Sequence, residues 1–215
     1  PHAVTRVSGA VNAQFLYDAN GNLLAGNGQA VTYTAFHQPA AITAAGATAL
    51  LAYGADDQRI VKTAQGSTTH YTAQDRYERV TSGAVTTHRH MIYAGSTPVA
   101  LYTYLTINGI ASNPRVTYLH TDPLGSIDAL TDPAGQVLQR LSYDAFGKRR
   151  NPDGSVASAI VALTPRGYTG HEHDDELKLI NMKAREYDPI LAHFLTADPL
   201  GQKGDPHPYA YANHN

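Results

Sequence analysis

Any chemistry in this sequence must come from its carboxylates and histidines. Cysteine is absent, and there is neither a Gly-rich phosphate loop nor a Ser/His/Asp arrangement with a supporting context. Two carboxylates that share a proton can activate a water, one of them acting as base. Asp122, Asp132 and Asp198 each open the same tetrapeptide, Asp-Pro-x-Gly, and Asp205 follows on a Gly/Pro-rich stretch. The recurrence favours a turn over a reactive group, and Asp205 is a stand-in carboxylate at most. His171 and His173 would share one face of a strand, as chelating ligands can. No third ligand stands at a defined spacing, so no metal and no cofactor is expected. The run His171-Glu172-His173-Asp174-Asp175-Glu176 reads as a hairpin edge. His88/His90 and His207/His214 carry still less, and Lys148-Arg149-Arg150 reads as a solvated hairpin tip.

The elements that would position these groups are turns. A unit Tyr-Asp-x-x-Gly-x-apolar occurs as Tyr17-Asp18-Ala19-Asn20-Gly21-Asn22-Leu23 and as Tyr143-Asp144-Ala145-Phe146-Gly147. Looser copies start at Tyr33, Tyr53, Tyr71 and Tyr93. Its sister form is Asp122-Pro123-Leu124-Gly125, Asp132-Pro133-Ala134-Gly135 and Asp198-Pro199-Leu200-Gly201. Asp caps backbone N–H groups, Pro presets φ, and Gly accepts a positive φ that other residues resist. Each unit therefore predicts a type I turn leading into a hairpin with a bulge at the Gly. The flanks alternate as strands do, for example Val31-Thr32-Tyr33-Thr34 and Arg59-Ile60-Val61-Lys62. No long apolar stripe has helical spacing; short helical turns are expected only near Leu191–Leu195 and Tyr209–Asn213.

The composition agrees with an all-β chain. Charged residues make up 16% of the 215, against about 25% in an ordinary globular protein. There are 14 Tyr, 4 Phe and no Trp, and Tyr combines β-propensity with a hydroxyl that can reach a carbonyl. The net charge of −2 gives no basic surface, so nucleic acid is not an expected partner. No run of 18 apolar residues is present, so no membrane-spanning helix is expected. Each repeat is too short to bury a core alone, so neighbours must stack edge to edge. The expected object is a long twisted sheet of antiparallel hairpins, with Tyr, Leu, Val and Ile on one face.

From Tyr118 onward the sequence resembles the Rhs, or YD-repeat, family. The resemblance rests on Tyr118-Leu119-His120-Thr121-Asp122-Pro123-Leu124-Gly125-Ser126, on Arg166-Gly167-Tyr168-Thr169-Gly170-His171-Glu172 and on Ala184-Arg185-Glu186-Tyr187-Asp188-Pro189. It continues in Phe194-Leu195-Thr196-Ala197-Asp198-Pro199-Leu200-Gly201 and Tyr209-Ala210-Tyr211-Ala212-Asn213. It implies degenerate YD repeats over residues 1–117 and an Rhs-associated core region over 118–215. It also implies a β-strip that spirals into a hollow shell around a C-terminal toxin polypeptide. In many members the core domain cuts the toxin free by aspartyl autoproteolysis. Carried over by motif, the first catalytic Asp is Asp198. Its partner is expected in a second Asp-Pro-x-Gly after an Asn-Pro, and the sequence stops at Asn215, where that Asn-Pro would begin. Many members read Gly-Arg-Phe-Leu before the Asp, whereas here it is Ala192-His193-Phe194-Leu195. His193 offers the positive charge of that Arg only when protonated.

Two function classes follow. The first is a shell segment that encloses a toxin, without turnover of its own and exported or secreted. The second is an extracellular adhesion or structural scaffold that self-associates. Because the sequence begins at Pro1 without Met, it is read as a piece of a longer chain with any export signal elsewhere. An open sheet edge near residues 1–35 is expected to pair with the rest of the shell or with its own copies.

Overall fold

Hairpin turns set the architecture. In the computed structural model, which describes residues 3–9, 11–72, 76–155, 162–199 and 207–211, Asp18 Oδ1 accepts from the Asn20 and Asn22 amides, both at 2.9 Å. The Gly21 amide closes the turn on Asp18 O, and Gly21 takes φ 83°. Asp122, Asp132 and Asp144 repeat this geometry, with Gly125, Gly135 and Gly147 at φ 84°, 81° and 91°. The degenerate copies keep the turn with poorer parts. Thr34 Oγ1 replaces the carboxylate, at 3.2 Å from the Phe36 and Gln38 amides. His37 and Asp57 hold the left-handed position at φ 62° and 58°, a conformation that costs a non-Gly residue about 1–2 kcal/mol.

These turns link fifteen strands into one antiparallel sheet. Its strands are β1 (Arg6–Val7), β2 (Ala13–Tyr17), β3 (Leu23–Gly26), β4 (Gln29–Tyr33), β5 (Pro39–Ala44), β6 (Ala47–Tyr53), β7 (Arg59–Ala64) and β8 (Ser67–Thr72). They continue as β9 (Tyr77–Ser82), β10 (Val85–Ala94), β11 (Thr97–Ile107), β12 (Ile110–Ala111), β13 (Arg115–Thr121), β14 (Ile127–Thr131) and β15 (Val137–Arg140). Each strand pairs with its neighbour in sequence, except that β12 pairs only with β11 and β13 takes the next place on β11. The division between 117 and 118 thus lies inside β13. The register slips by one residue at Tyr17, Tyr33, Tyr53 and Tyr93, where each strand meets its turn. The tyrosine hydroxyls then reach back to an earlier carbonyl: Tyr17 to Val4, Tyr33 to Leu23 and Tyr143 to Ile127.

Alternation sorts the faces. Phe15, Leu23, Val31, Ile42 and Leu51 are buried on one side of the long sheet, while Leu16, Leu24 and Leu50 are exposed on the other. After a two-stranded hairpin of β16 (Ser142–Tyr143) and β17 (Arg149–Arg150), the chain returns to that buried side. There it forms a four-stranded antiparallel sheet of β18 (Glu172–Asp174), β19 (Leu179–Asn181), β20 (Glu186–Asp188) and β21 (His193–Phe194). Leu177, Leu179 and Leu195 of this small sheet join the core of the strip; each buried Leu stabilises by about 1.5–3 kcal/mol. The only helical segment among the described residues is a 3-10 turn at Tyr168–Gly170. The helical turn expected near Leu191–Leu195 is instead a hydrogen-bonded turn into β21, with Ala192 at φ 57°. Tyr209 and Ala210 likewise form a turn, bridged to His193, while Ala212 and Asn213 lie outside the described residues.

Candidate functional site

The strongest chemical grouping lies between the two sheets, and it is ionic. Strand alternation puts Glu172 and Asp174 on one face of β18, and Glu186 and Asp188 on one face of β20. Opposite them stand Gln29 of β4, Arg59 and Lys62 of β7 and Tyr71 of β8. Arg59 reaches Asp174 at 2.6 Å, Glu172 at 2.9 Å and Glu186 at 3.6 Å, and all four side chains are almost wholly buried. Lys62 contacts Asp174 at 2.5 Å and Glu176 at 3.1 Å. The Tyr71 hydroxyl donates to Glu172 Oε1 at 2.8 Å, and Gln29 Nε2 donates to Asp188 Oδ2 at 2.6 Å.

Burial opposes every charge here, and the pairing decides which survive. It works against ionisation of Glu172, but Arg59, Lys62 and Arg166 outweigh it and hold that carboxyl well below its usual range. Glu186 lies farther from Arg59. Burial and the Asp174 charge push it up to about 8, so it keeps its proton at neutral pH. Sequence reasoning missed this latch. The signals present in the sequence were the two cations of β7 and the acidic run at 172–176, with nothing in their spacing to pair them. That run is an edge strand, as expected, but its Glu172, His173 and Asp174 are all buried. The basic run is corrected in part: Arg149 is buried, bonded to Asp175 at 3.1 Å and to the Tyr143 hydroxyl.

The structure separates the roles of the two histidines. His173 Nε2 accepts from the Tyr168 amide at 3.0 Å, and its ring packs 5.5 Å from that of Tyr143. Burial, with Arg149 nearby, drives it well below the usual imidazole range, so it is a neutral core residue. His171 Nδ1 pairs with Thr169 Oγ1 at 2.8 Å. Among the described residues no group of three His, Asp or Glu could hold a metal.

Asp198 follows β21. Its Oδ2 accepts from Arg185 Nη2 at 3.1 Å, and its amide donates to Pro208 O at 2.9 Å. The same guanidinium donates to Pro208 O and lies 3.6 Å from the centre of the Phe194 ring. The cation beside Asp198 is therefore Arg185, which sequence reasoning sought at His193 and which stands in a quoted motif, Ala184–Pro189. Gly201, Asp205 and His214 lie outside the described residues.

The turns also serve as docking points. The Tyr209 hydroxyl donates to Gly21 O at 2.7 Å, and a Cβ on Gly21 would lie 2.6 Å from it. A Cβ on Gly147 would lie 2.5 Å from the Tyr168 ring. Both glycines thus combine a left-handed φ with close approach of a tyrosine from the C-terminal part. The model of one family, Teneurin YD-shell, matches residues 2–204. The chain belongs to this family. Among YD-shell relatives, the tRNA3(Ser)-specific nuclease WapA of Bacillus spizizenii is 30% identical over 93% of this chain and 8% of its own length. Double-stranded DNA deaminase toxin A of Burkholderia cenocepacia is 35% identical over 46% of this chain and 7% of its own. The crystal structure of TcdB2-TccC3 superposes with a TM-score of 0.70 at 20% identity, covering 92% of this chain and 10% of that one. The chain thus spans a tenth or less of the length of these relatives and is a segment of YD shell.

Proposed function

We propose that this segment closes a YD shell around a C-terminal toxin polypeptide and is exported with it. The observation that carries this reading is the small sheet folded back on the strip and fastened by a buried ionic latch. The turn contacts of Tyr168 and Tyr209 support it, because they tie the segments flanking the small sheet to the β16–β17 turn and to the β2–β3 turn of the strip. The names of the relatives, a tRNA nuclease and a DNA deaminase toxin, fit a carrier whose cargo lies elsewhere in the polypeptide. We assign residues 1–117 to the repeat strip and 118–215 to the core region, the strip continuing structurally to Arg140.

On this reading the segment has no turnover of its own. Asp198 is the family's first catalytic Asp, fixed by Arg185, and waits for a second carboxylate from sequence after Asn215. In a polypeptide extended beyond Asn215, added protease should spare the downstream part while the shell stays folded. The polypeptide should also split in two, and Asp198→Asn should leave it whole. A downstream part digested as fast as a free peptide refutes enclosure. An extended chain that never splits refutes the role given to Asp198.

A further inference from the structure

The segment that carries Asp198 lies against the β2–β3 turn of the strip. The Leu23 amide donates to Leu195 O at 2.9 Å. Ala197 follows closely enough for its Cβ to lie 3.8 Å from a Cβ placed on Gly21. A second tie to the same turn comes from residues 207–211. The Tyr209 hydroxyl donates to Gly21 O at 2.7 Å across 188 positions. Its ring meets the Tyr17 ring edge-on, with centroids 5.6 Å apart. Tyr209 is 3% exposed, so this is a buried joint rather than a surface contact.

Residues 207–211 in turn hold Asp198. Pro208 O accepts from the Asp198 amide at 2.9 Å and from the Arg185 guanidinium at 3.2 Å. The other arm of that guanidinium donates to Asp198 Oδ2 at 3.1 Å, while its carbon lies over the Phe194 ring. The Phe194 amide donates to Tyr209 O at 2.9 Å. The carboxylate is therefore oriented by Arg185, Arg185 by Pro208 O, and Pro208 by the neighbouring Tyr209, which is fixed at Gly21. Without the turn, the carbonyl that orients both Asp198 and Arg185 loses its anchor on the strip.

We propose that Tyr209 is a positioning residue that makes the Asp198 site depend on the β2–β3 turn, so that the cut follows docking of the C-terminal part on the folded strip. This rests on the role given to Asp198 above. The step governed is hydrolysis of one peptide bond by one water. The water gives a proton to a carboxylate as its oxygen bonds to the carbonyl carbon. The C–N bond then breaks as the nitrogen takes up a proton, leaving a new carboxyl end and a new amine end. Two carboxylates must face one bond for this, and a misplacement of about 1 Å can cost about a hundredfold in rate. Gly21 and Tyr209 are separated in sequence by the strip from β3 onward and by both small sheets. They meet only when these have folded, which ties the cut to the closed structure.

The test uses the polypeptide extended beyond Asn215, pulse-labelled in cell-free synthesis so that splitting is timed, and the 215-residue chain for NMR. Tyr209→Phe removes only the hydroxyl that reaches Gly21. It should slow splitting about tenfold, as expected for one buried hydrogen bond that holds the reacting geometry. Gly21→Ala, whose Cβ would strike that hydroxyl, should slow it at least as much. Gly125→Ala has the same left-handed φ with open space around its Cβ and should split at the parent rate. In the 215-residue chain, Tyr209→Phe should shift the Asp198 carboxyl carbon and the Arg185 Nε–H signal and leave the signals of β6 to β12 in place. Splitting of Tyr209→Phe and Gly21→Ala at the parent rate overturns the proposal, as does an Asp198 signal that Tyr209→Phe leaves unmoved. Equal slowing in Gly125→Ala and Gly21→Ala also overturns it, because lost stability would then account for the rate. An extended parent that never splits refutes the role given to Asp198, and the NMR result then decides the coupling alone.

Discussion

Glu186→Gln should remove a pH dependence that the latch builds into stability. Glu186 is buried beside Asp174 and Glu172, and its pKa rises from 4.5 to about 8. The folded state therefore holds a proton that the unfolded chain releases near 4.5. Folding is favoured fully below that value, and the advantage is lost as pH rises through about 8. At about 1.4 kcal/mol per unit the ceiling is about 5 kcal/mol. Relaxation and entry of water around an ionised Glu186 reduce this, and we expect about 1–3 kcal/mol. Gln preserves shape and the contact of Oε1 with Arg59 but cannot ionise. Urea unfolding of both proteins, followed by circular dichroism between pH 5 and 9, isolates this group because the other titrations cancel in the difference. The variant should match the parent near pH 5 and exceed it near pH 9. A constant difference across that range would refute the protonation assigned to Glu186.

Two further predictions concern the latch and the turns. Arg59→Met leaves Glu172 and Asp174 buried against Lys62 and the more distant Arg166 and should cost about 3–5 kcal/mol, measured by thermal and urea unfolding; replacing Arg59, Lys62, Glu172 and Asp174 together by apolar residues should restore most of that loss yet double NMR signals from β18 to β21. Gly125→Ala should cost only the strain of its left-handed φ, about 1–2 kcal/mol, because its Cβ would meet open space; Gly21→Ala and Gly147→Ala should cost clearly more, because theirs would strike Tyr209 and Tyr168, and equal losses at all three would refute docking at the turns.

Local chemistry was legible in the sequence, and long-range pairing was not. Asp18, Asp122, Asp132 and Asp144 announce their turns because the capping bonds span only two to four residues. The alternate turns at Asn27-Gly28 and Asn108-Gly109 carry the usual two-residue hairpin signal and could have been read, whereas Ala45-Gly46 and Gln65-Gly66 hide it behind residues that seldom take φ near 50°. The latch joins Arg59 to Asp174 across 115 positions, a distance over which spacing holds no information. The helical reading of Leu191–Leu195 failed because apolar spacing there serves two sheets at once: Leu195 enters the strip core while Phe194 packs against Tyr187.

The latch also answers a difficulty peculiar to repeats. The buried face of the strip presents similar apolar rows from β2 to β6, so Leu177, Leu179 and Leu195 could pack nearly as well one hairpin away. Apolar contacts alone would leave the small sheet free to settle in several places. Displaced by one hairpin, Glu172 and Asp174 would lose Arg59 and Lys62 and lie buried without a cation, at a cost of several kcal/mol. The native position need not be much more stable than an apolar design would make it; the displaced positions become far less stable. Tyr209 at Gly21 acts in the same sense, because it needs a turn with no side chain at its left-handed position, and His37 and Asp57 deny that to the next two turns of this kind. Ion pairs in a charge-poor strip thus select one register among near-equivalent ones, and the strip can stay repetitive elsewhere.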